Sequence, residues 1–287
     1  MKLENQKLLC SVSGGKDSSA MVLHLLHNLK IDRDRIELIF MDTGWEHKET
    51  YQYLEYLEEF FEMKIKRLKL EVSVADEHAE FVSKIENMMG FESAFVRTLI
   101  KRRFFSNRYA KWCTSELKLK PFKNYIDDLE DEFVSCVGIR RQESIRRSKY
   151  DEFEWSDHLD CLVYRPIIDF KLIEVIKIHH QYGLIPNHLY LNGSSRVGCW
   201  PCIYSAKKEI SCLDENRIEI IRLLEAYMSS FVGKSMTFFM PRLSSIAKID
   251  DVIDWSKTSR GGKQYELFSM EIPSCQKWGL CDFGGLH

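Results

Sequence analysis

Two groups of residues have types and spacings that could do chemistry. The first is Ser11-Val12-Ser13-Gly14-Gly15-Lys16-Asp17-Ser18-Ser19, set between the apolar stretch Leu8-Leu9-Cys10 and the apolar run Ala20-Met21-Val22-Leu23. It reads as strand, glycine turn and helix start. A helix N-terminus presents unpaired backbone N–H groups and the positive end of the helix dipole, which together cradle phosphate. Gly14 and Gly15 let the backbone approach an anion, while Lys16, Ser18 and Ser19 add charge and hydroxyl donors. The second group is Cys199-Trp200-Pro201-Cys202, two soft thiols within one turn, a spacing that suits zinc, an iron–sulfur cluster or a redox dithiol.

The glycine run is not a Walker A loop. That motif needs a glycine five positions before Gly15 and a hydroxyl residue directly after the lysine, and the chain has Cys10 and Asp17 there. The pattern Ser13-Gly14-Gly15-x-Asp17-Ser18 instead resembles the pyrophosphate loop of the ATP pyrophosphatase superfamily. The competing reading is an ordinary turn with Asp17 as helix N-cap.

The elements that must position these residues alternate. Strand-like segments at 8–13, 36–41 and 65–70 are interleaved with helix-like periods at 18–29, 48–62 and 74–89, which predicts an α/β fold with a doubly wound, mostly parallel sheet. Such sheets bind ligands beyond the carboxyl ends of their strands. The glycine turn stands there, as do Met41-Asp42-Thr43-Gly44 after the second strand and Gly138-Ile139-Arg140-Arg141 after a further strand at 133–137. The helical stretch 215–227 and an irregular tail follow, so an adenine-nucleotide-binding domain over residues 1–212 and a smaller C-terminal region over 213–287 are expected.

With 287 residues and 45% hydrophobic content, the chain can bury a large core. A formal net charge of -2 argues against a surface that grips nucleic acid everywhere, but leaves room for a local patch. Such a patch is the segment Arg97 to Lys123, with nine basic residues against the single acid Glu116 and with Phe104, Phe105, Tyr109 and Trp112 interleaved. It suits an anion-binding lid or a nucleic-acid contact, or else a solvated helix face whose aromatics point inward. No run approaches the ~20 apolar residues of a membrane helix, and the first residues lack a signal peptide's apolar stretch. A cytoplasmic protein without membrane contact is expected. Nine cysteines there favour metal or thiol chemistry over disulfides. Cys10, Cys136 and Cys161, in apolar strand-like contexts, read as inert core residues.

Taken in order, further motifs join the loop: Met41-Asp42-Thr43-Gly44, Trp112-Cys113-Thr114 with Leu117-Lys118, Gly138-Ile139-Arg140-Arg141-Gln142-Glu143-Ser144 with Arg146, Asn187-His188-Leu189-Tyr190 and Ser195-Arg196-Val197-Gly198-Cys199-Trp200-Pro201-Cys202. The set resembles the phosphoadenosine phosphosulfate (PAPS) reductase family, a branch of the adenine nucleotide alpha hydrolase fold, over roughly the first 210 residues. The resemblance implies that Ser11, Ser13, Gly14, Gly15, Ser18, Ser19, Met41, Thr43, Gly138 and Arg146 contact an adenine nucleotide, ATP or PAPS. Lys16, Asp17, Asp42, Arg140 and Arg141 would act on its phosphoryl or sulfuryl group. Asp17 and Asp42 would position Mg²⁺ or the nucleotide, in keeping with magnesium's taste for carboxylate and phosphate oxygens.

The resemblance also implies a metal centre. In iron–sulfur members the CxxC joins a Cys-Cys pair at the place of Trp112-Cys113, so one ligand is missing here. The expected set is Cys113, Cys199, Cys202 and Cys212, with Cys275 and Cys281 as the second choice for the fourth place. Only the resemblance favours a 4Fe-4S cluster over zinc, because four thiolates fit either.

Two departures bear on the reaction. Sulfonucleotide reductases usually carry a degenerate loop, whereas Lys16 and Asp17 are present here, which points to ATP. Those enzymes also end in a segment whose cysteine attacks sulfur, and this chain has Gly284 at that place, with Cys281 three residues upstream. The expectation is therefore an ATP pyrophosphatase that adenylylates an acceptor for sulfur transfer to nucleic acid, as in DNA phosphorothioation enzymes. Its partners would be a nucleic acid at Arg97 to Lys123 and a sulfur-donor protein of the cysteine desulfurase kind. The alternatives are a sulfonucleotide reductase using Cys281 and thioredoxin, and a non-catalytic nucleotide-binding subunit.

Overall fold

A computed structural model describes residues 3, 6–192, 194–239 and 248–258. Six strands form one sheet: β1 (Lys7–Ser11), β2 (Ile36–Asp42), β3 (Ile65–Lys69), β4 (Phe133–Val137), β5 (Phe153–Ser156) and β6 (Cys161–Tyr164). Their order is β3-β2-β1-β4-β6-β5, parallel throughout except for the antiparallel edge pair β5 and β6. The doubly wound α/β architecture is as expected from the alternation. Strands covered on both faces read as unbroken apolar runs, and Leu8-Leu9-Cys10 is fully buried. β5 and β6 escape the sequence reading because they are four residues each, and β5 has two exposed positions that give it no buried face.

Helix α1 (Lys16–Leu23) starts two residues before the expected Ser18 and ends in a π-type turn at His24–Asn28. The earlier start follows from Gly15, which adopts an extended conformation and opens the helix without a side-chain cap. Helix α2 (Lys48–Phe61) and the helix Leu172–Tyr182 cover the same sheet face as α1, through a core that includes Leu23, Leu54, Phe61 and Val175. The helix Lys120–Asp127 covers the other face with Phe122 and Ile126 against Leu9 and Ile39.

A second large core lies beside the sheet. It joins α3 (Asp76–Met89) and α4 (Ala94–Arg102) to the helices Glu215–Val232 and Ile249–Ser256 through Ile85, Phe95, Leu99, Ile220, Leu224 and Ile253. Trp45, Trp112 and Trp200 belong to it, so it draws on both sides of residue 212. Among the described residues no helix is long and apolar enough to cross a membrane.

Candidate functional site

The order of the strands sets the place of the site. The chain winds outward in opposite directions from the neighbours β1 and β4, and the loops that leave their carboxyl ends diverge to leave a crevice. The glycine turn follows β1, and the segment from Gly138 follows β4. The two approach so closely that a Cβ on Gly138 would stand 2.7 Å from the Asp17 carbonyl oxygen and 2.8 Å from Ser18 Cα. Only glycine fits there.

Within the turn, Gly14 has φ +70°, a left-handed conformation that favours glycine, and a Cβ on it would meet Thr50 Cγ2 at 3.0 Å. The hydroxyls of Ser18 and Ser19 donate to the Gly15 carbonyl at 2.9 and 3.2 Å, and Ser18 Oγ accepts the Ser13 N–H at 3.2 Å. These serines therefore fasten the turn. Lys16 N–H donates to the Tyr190 hydroxyl at 3.0 Å, and Asn187 Nδ2 donates to the Gly14 carbonyl at 3.3 Å. Ser11 lies in β1, paired with both neighbouring strands.

Three charges meet beside the turn. Asp17 accepts from buried Arg140 Nε at 2.5 Å and lies 3.8 Å from Lys16 Nζ, which donates to the Ser195 carbonyl at 3.2 Å. Burial lowers the Lys16 pKa against the opposing pull of Asp17. Arg140 is held in turn by its own N–H to Glu143 at 2.8 Å and by Nη1 to Gln142 at 3.0 Å. Arg141 points elsewhere, pairing with Asp169 and donating to the Tyr150 carbonyl at 3.0 Å. Arg146 is absent from the cavity wall, where Arg147 stands, paired with Glu143 at 2.5 Å.

Asp42 is also occupied locally. It accepts Gly44 N–H at 2.9 Å and the Tyr51 hydroxyl at 2.7 Å, and it does not line the cavity. The structure thus places Asp17 in the crevice without Asp42. Met41 packs on the sheet face covered by Phe122, and Thr43 donates to buried Glu46 at 2.8 Å.

One cavity of about 870 Å³ runs from Gly15, Lys16, Asp17 and Arg140 to Cys199 and Cys202. The loop after β2 carries the cysteine end. Trp200 N–H donates to the Trp45 carbonyl at 2.9 Å, Trp45 Nε1 donates to the Pro201 carbonyl at 3.0 Å, and Glu46 pairs with Cys199 in an isolated antiparallel bridge. Cys113 receives the Ser106 hydroxyl at 3.1 Å. Cys113, Cys199 and Cys202 lie within electrostatic reach of one another and of Lys118 on the cavity wall. Burial pushes the Cys199 thiol up to about 12, against the opposing pull of Lys118.

Cys212 stands apart. Its sulfur faces the Asn192 carbonyl at 4.0 Å, and its electrostatic neighbours are Lys208, Ser211 and Glu209. The expected four-cysteine set therefore divides into three and one, while Cys275 and Cys281 lie outside the described residues. Among the described residues no three His, Cys, Asp or Glu side chains are arranged to hold a metal ion. By chemistry alone Cys113, Cys199 and Cys202, with cationic Lys118 near them, would suit a soft, negatively charged metal–thiolate group, although the structure does not draw them into a metal-holding arrangement. Cys10, Cys136 and Cys161 are buried in β1, β4 and β6.

The basic segment is mostly committed to the fold. Arg97 pairs with Glu86 at 2.7 Å, Arg102 with Glu116 and Lys123 with Asp127 at 2.7 Å, while Phe105 and Trp112 are buried in the second core. Tyr109 is 77% exposed.

Several residues of the site were not assigned from the sequence. Tyr190 is buried, accepts from Lys16 and carries the Lys16 ammonium over its ring at 4.8 Å. Glu209, also buried, accepts the Ser195 hydroxyl at 2.6 Å and faces Arg196 at 3.5 Å. Arg217 lies over Trp45 at 4.4 Å and donates to the Glu46 carbonyl at 3.3 Å. Tyr190 and Ser195 stand in motifs that the sequence does show. Glu209 and Arg217 give no local signal, because each acts only through contacts made by folding.

Residues 7–205 match the model of the phosphoadenosine phosphosulfate reductase domain. An uncharacterized 37.8 kDa protein of Escherichia phage 186 is 30% identical over 308 residues, 91% of each chain. An adenosine 5'-phosphosulfate reductase of Salinibacter ruber is 26% identical over 194 residues, covering 68% of this chain and 67% of that one. A phosphoadenylyl-sulfate reductase from Candida auris, solved as a phosphate complex, superposes with a TM-score of 0.49 at 16% identity, covering 69% of this chain and 83% of that one.

Proposed function

The chain belongs to the phosphoadenosine phosphosulfate reductase family, and within it we propose an ATP pyrophosphatase that activates an acceptor for sulfur transfer. The observation that carries this reading is the convergence of Lys16, Asp17 and Arg140 at one end of a cavity whose other end holds Cys199 and Cys202.

In this reading the glycine turn and the start of α1 hold the β- and γ-phosphates of ATP. Lys16 and Arg140 neutralise the charge that builds on pyrophosphate as it departs, and they are held in place before reaction by Ser195, Gln142 and Asp17. An acceptor oxygen forms a bond to the α-phosphorus, the bond to the β-phosphate oxygen breaks, and pyrophosphate leaves. A sulfur nucleophile supplied by a donor protein then displaces AMP from the adenylylated acceptor. Asp17, the carboxylate on the cavity wall beside the glycine turn, would hold a magnesium ion, which would supply charge neutralisation on the phosphates.

Cys113, Cys199 and Cys202 are the residues that would hold an iron–sulfur cluster. When bound, the cluster supplies a site for carrying sulfur or electrons beside the nucleotide. The acceptor is taken to be a nucleic acid. The relative from Salinibacter ruber favours a second reading, a sulfonucleotide reductase, whose nucleophile would be Cys281.

Calorimetric titration of the anaerobically purified protein with ATP and with PAPS, each with Mg²⁺, tests the choice of nucleotide. Tighter binding of ATP supports the proposal. Tighter binding of PAPS contradicts it and turns attention to Cys281.

A further inference from the structure

One exposed aromatic ring stands at the mouth of the cavity, and a second is carried by the turn just before Lys111, whose ammonium lies over the first. Tyr204 lines the cavity and is 49% exposed, and Tyr109 is 77% exposed. Each sits on a turn closed by its own hydrogen bonds. Asn107 Oδ1 accepts Tyr109 N–H at 2.9 Å and Ala110 N–H at 3.1 Å, while Asn107 N–H donates to the Ala110 carbonyl at 3.1 Å. Cys202 N–H donates to Ser205 Oγ at 3.1 Å, and Ser205 N–H returns to the Cys202 carbonyl at 2.8 Å. Rings presented to solvent on locked turns lose little further freedom when they bind a partner.

Each ring has a cation against it. Arg108 lies 4.9 Å from the Tyr109 ring centre, and Lys111 lies 5.1 Å from that of Tyr204. Lys111 thereby links the two turns at one rim. Among the described residues neither cation has a carboxylate within ion-pair distance, in contrast to Arg97, Arg102 and Lys123 of the same segment. Inside the mouth the same cavity is lined by Arg147 and Arg196, each beside a glutamate of the same wall, Glu143 and Glu209, so the cations without a carboxylate partner are those of the rim.

We propose that Tyr109 and Tyr204, with Arg108 and Lys111, form a stacking platform for single-stranded nucleic acid at the entrance of the cavity. Flat rings flanked by cations match a strand that offers unstacked bases and a phosphate every residue. A duplex offers only its phosphates to such a surface, because its bases are already stacked. The platform rests on the acceptor in the proposed function being a nucleic acid. It narrows the contact from the whole of the basic segment to the turn that carries Arg108 and Tyr109, with Lys111, and a tyrosine from the CxxC turn.

The test is fluorescence anisotropy of the full-length protein with a labelled single-stranded DNA of about 12 nucleotides, the matching duplex and polyglutamate, over a range of salt. Saturable, salt-sensitive binding of the single strand in preference to the duplex is expected. Tyr109→Ala and Tyr204→Ala each weaken it about tenfold, while the phenylalanine variants retain it. Arg108→Ala with Lys111→Ala lowers the salt dependence. Equal binding of duplex and single strand, indifference to both alanine variants, displacement by polyglutamate at equal charge, or no binding overturns the platform. Pyrophosphate release from ATP by Tyr109→Ala separates this from the reaction itself. Release that falls at low strand concentration and returns to the wild-type rate once the strand saturates the weakened site supports the platform, wild-type release with strand binding lost overturns it, and strand binding by a protein that releases no pyrophosphate overturns the reaction but keeps the platform.

Discussion

At the glycine end of the cavity, Ser13, Gly15, Ser18 and Ser19 close hydrogen bonds within five residues of one another, and the charged partners arrive from adjacent parallel strands. At the cysteine end, Cys113 and Cys199 come within electrostatic reach across 86 positions of sequence, held by the loop between β2 and α2 and by the second core. The first end is a local device whose parts specify one another. The second depends on the docking of helices that come before and after it. The two should therefore fail differently when altered.

The largest effect is expected at the local end. Asp17→Asn removes the carboxylate between Lys16 and Arg140 and leaves a buried guanidinium without its partner. Pyrophosphate release should fall at least about a hundredfold, the scale seen when one charge-stabilising group is lost. Activity within tenfold of wild type would remove Asp17 from the reaction.

The cysteine end sharpens the comparison through its division into three and one. Cys113→Ala, Cys199→Ala and Cys202→Ala should each lose most of the iron and acid-labile sulfide of anaerobically purified protein, while Cys212→Ala retains it. Equal loss from Cys212→Ala would mean that the four act together.

Gly138→Ala places a methyl group against the start of α1. Overpacking of this kind costs about 1–3 kcal/mol. The melting temperature should fall and ATP affinity with it, while iron content per folded molecule stays as in wild type. A normal melting temperature would show that the two loops do not approach as described.

Tyr190→Phe deletes the acceptor for Lys16 N–H and the hydroxyl's bond to the Val197 backbone. The loss is about 1 kcal/mol, roughly fivefold in ATP affinity. No change would place the tyrosine outside the site.

The smallest effect is a pH dependence. Lys16 has its pKa lowered below the ordinary 10.5, chiefly by burial. Its contribution to stability is therefore unfavourable at neutral pH and is relieved as pH climbs through the depressed value toward 10.5. ATP affinity moves the opposite way, because phosphates need the ammonium form. Calorimetry across this window should show affinity falling in wild type and flat in Lys16→Arg, whose guanidinium stays charged.

The same contrast explains what the sequence made legible. The alternation of periods is a local signal and gave the sheet, and the spacing within Ser13 to Ser19 gave a turn whose serine contacts are local, while Tyr190 and Asn187, which also hold it, come from far along the chain. The roles of individual side chains were harder to read. Asp17, in the first turn of α1 after β1, and Asp42, the last residue of neighbouring β2, look equivalent, yet Tyr51 and Gly44 take up Asp42 while Arg140 and Lys16 face Asp17. Arg140, Arg141 and Arg146 look alike in composition, and only folding decides that Arg141 turns to Asp169 and that Arg147 lines the cavity. The interleaved aromatics of the basic segment divide in the same way, Phe105 and Trp112 inward and Tyr109 outward.

The central claim is that the glycine end acts on ATP. The most direct measurement follows pyrophosphate and AMP from labelled ATP, and sulfite from PAPS and adenosine 5'-phosphosulfate, in parallel reactions of the anaerobically purified protein with Mg²⁺, single-stranded nucleic acid as acceptor, sulfide as sulfur nucleophile and a reductant. Pyrophosphate and AMP in equal amounts, with no sulfite, is the predicted result. Sulfite from either sulfonucleotide, with ATP left intact, would contradict it.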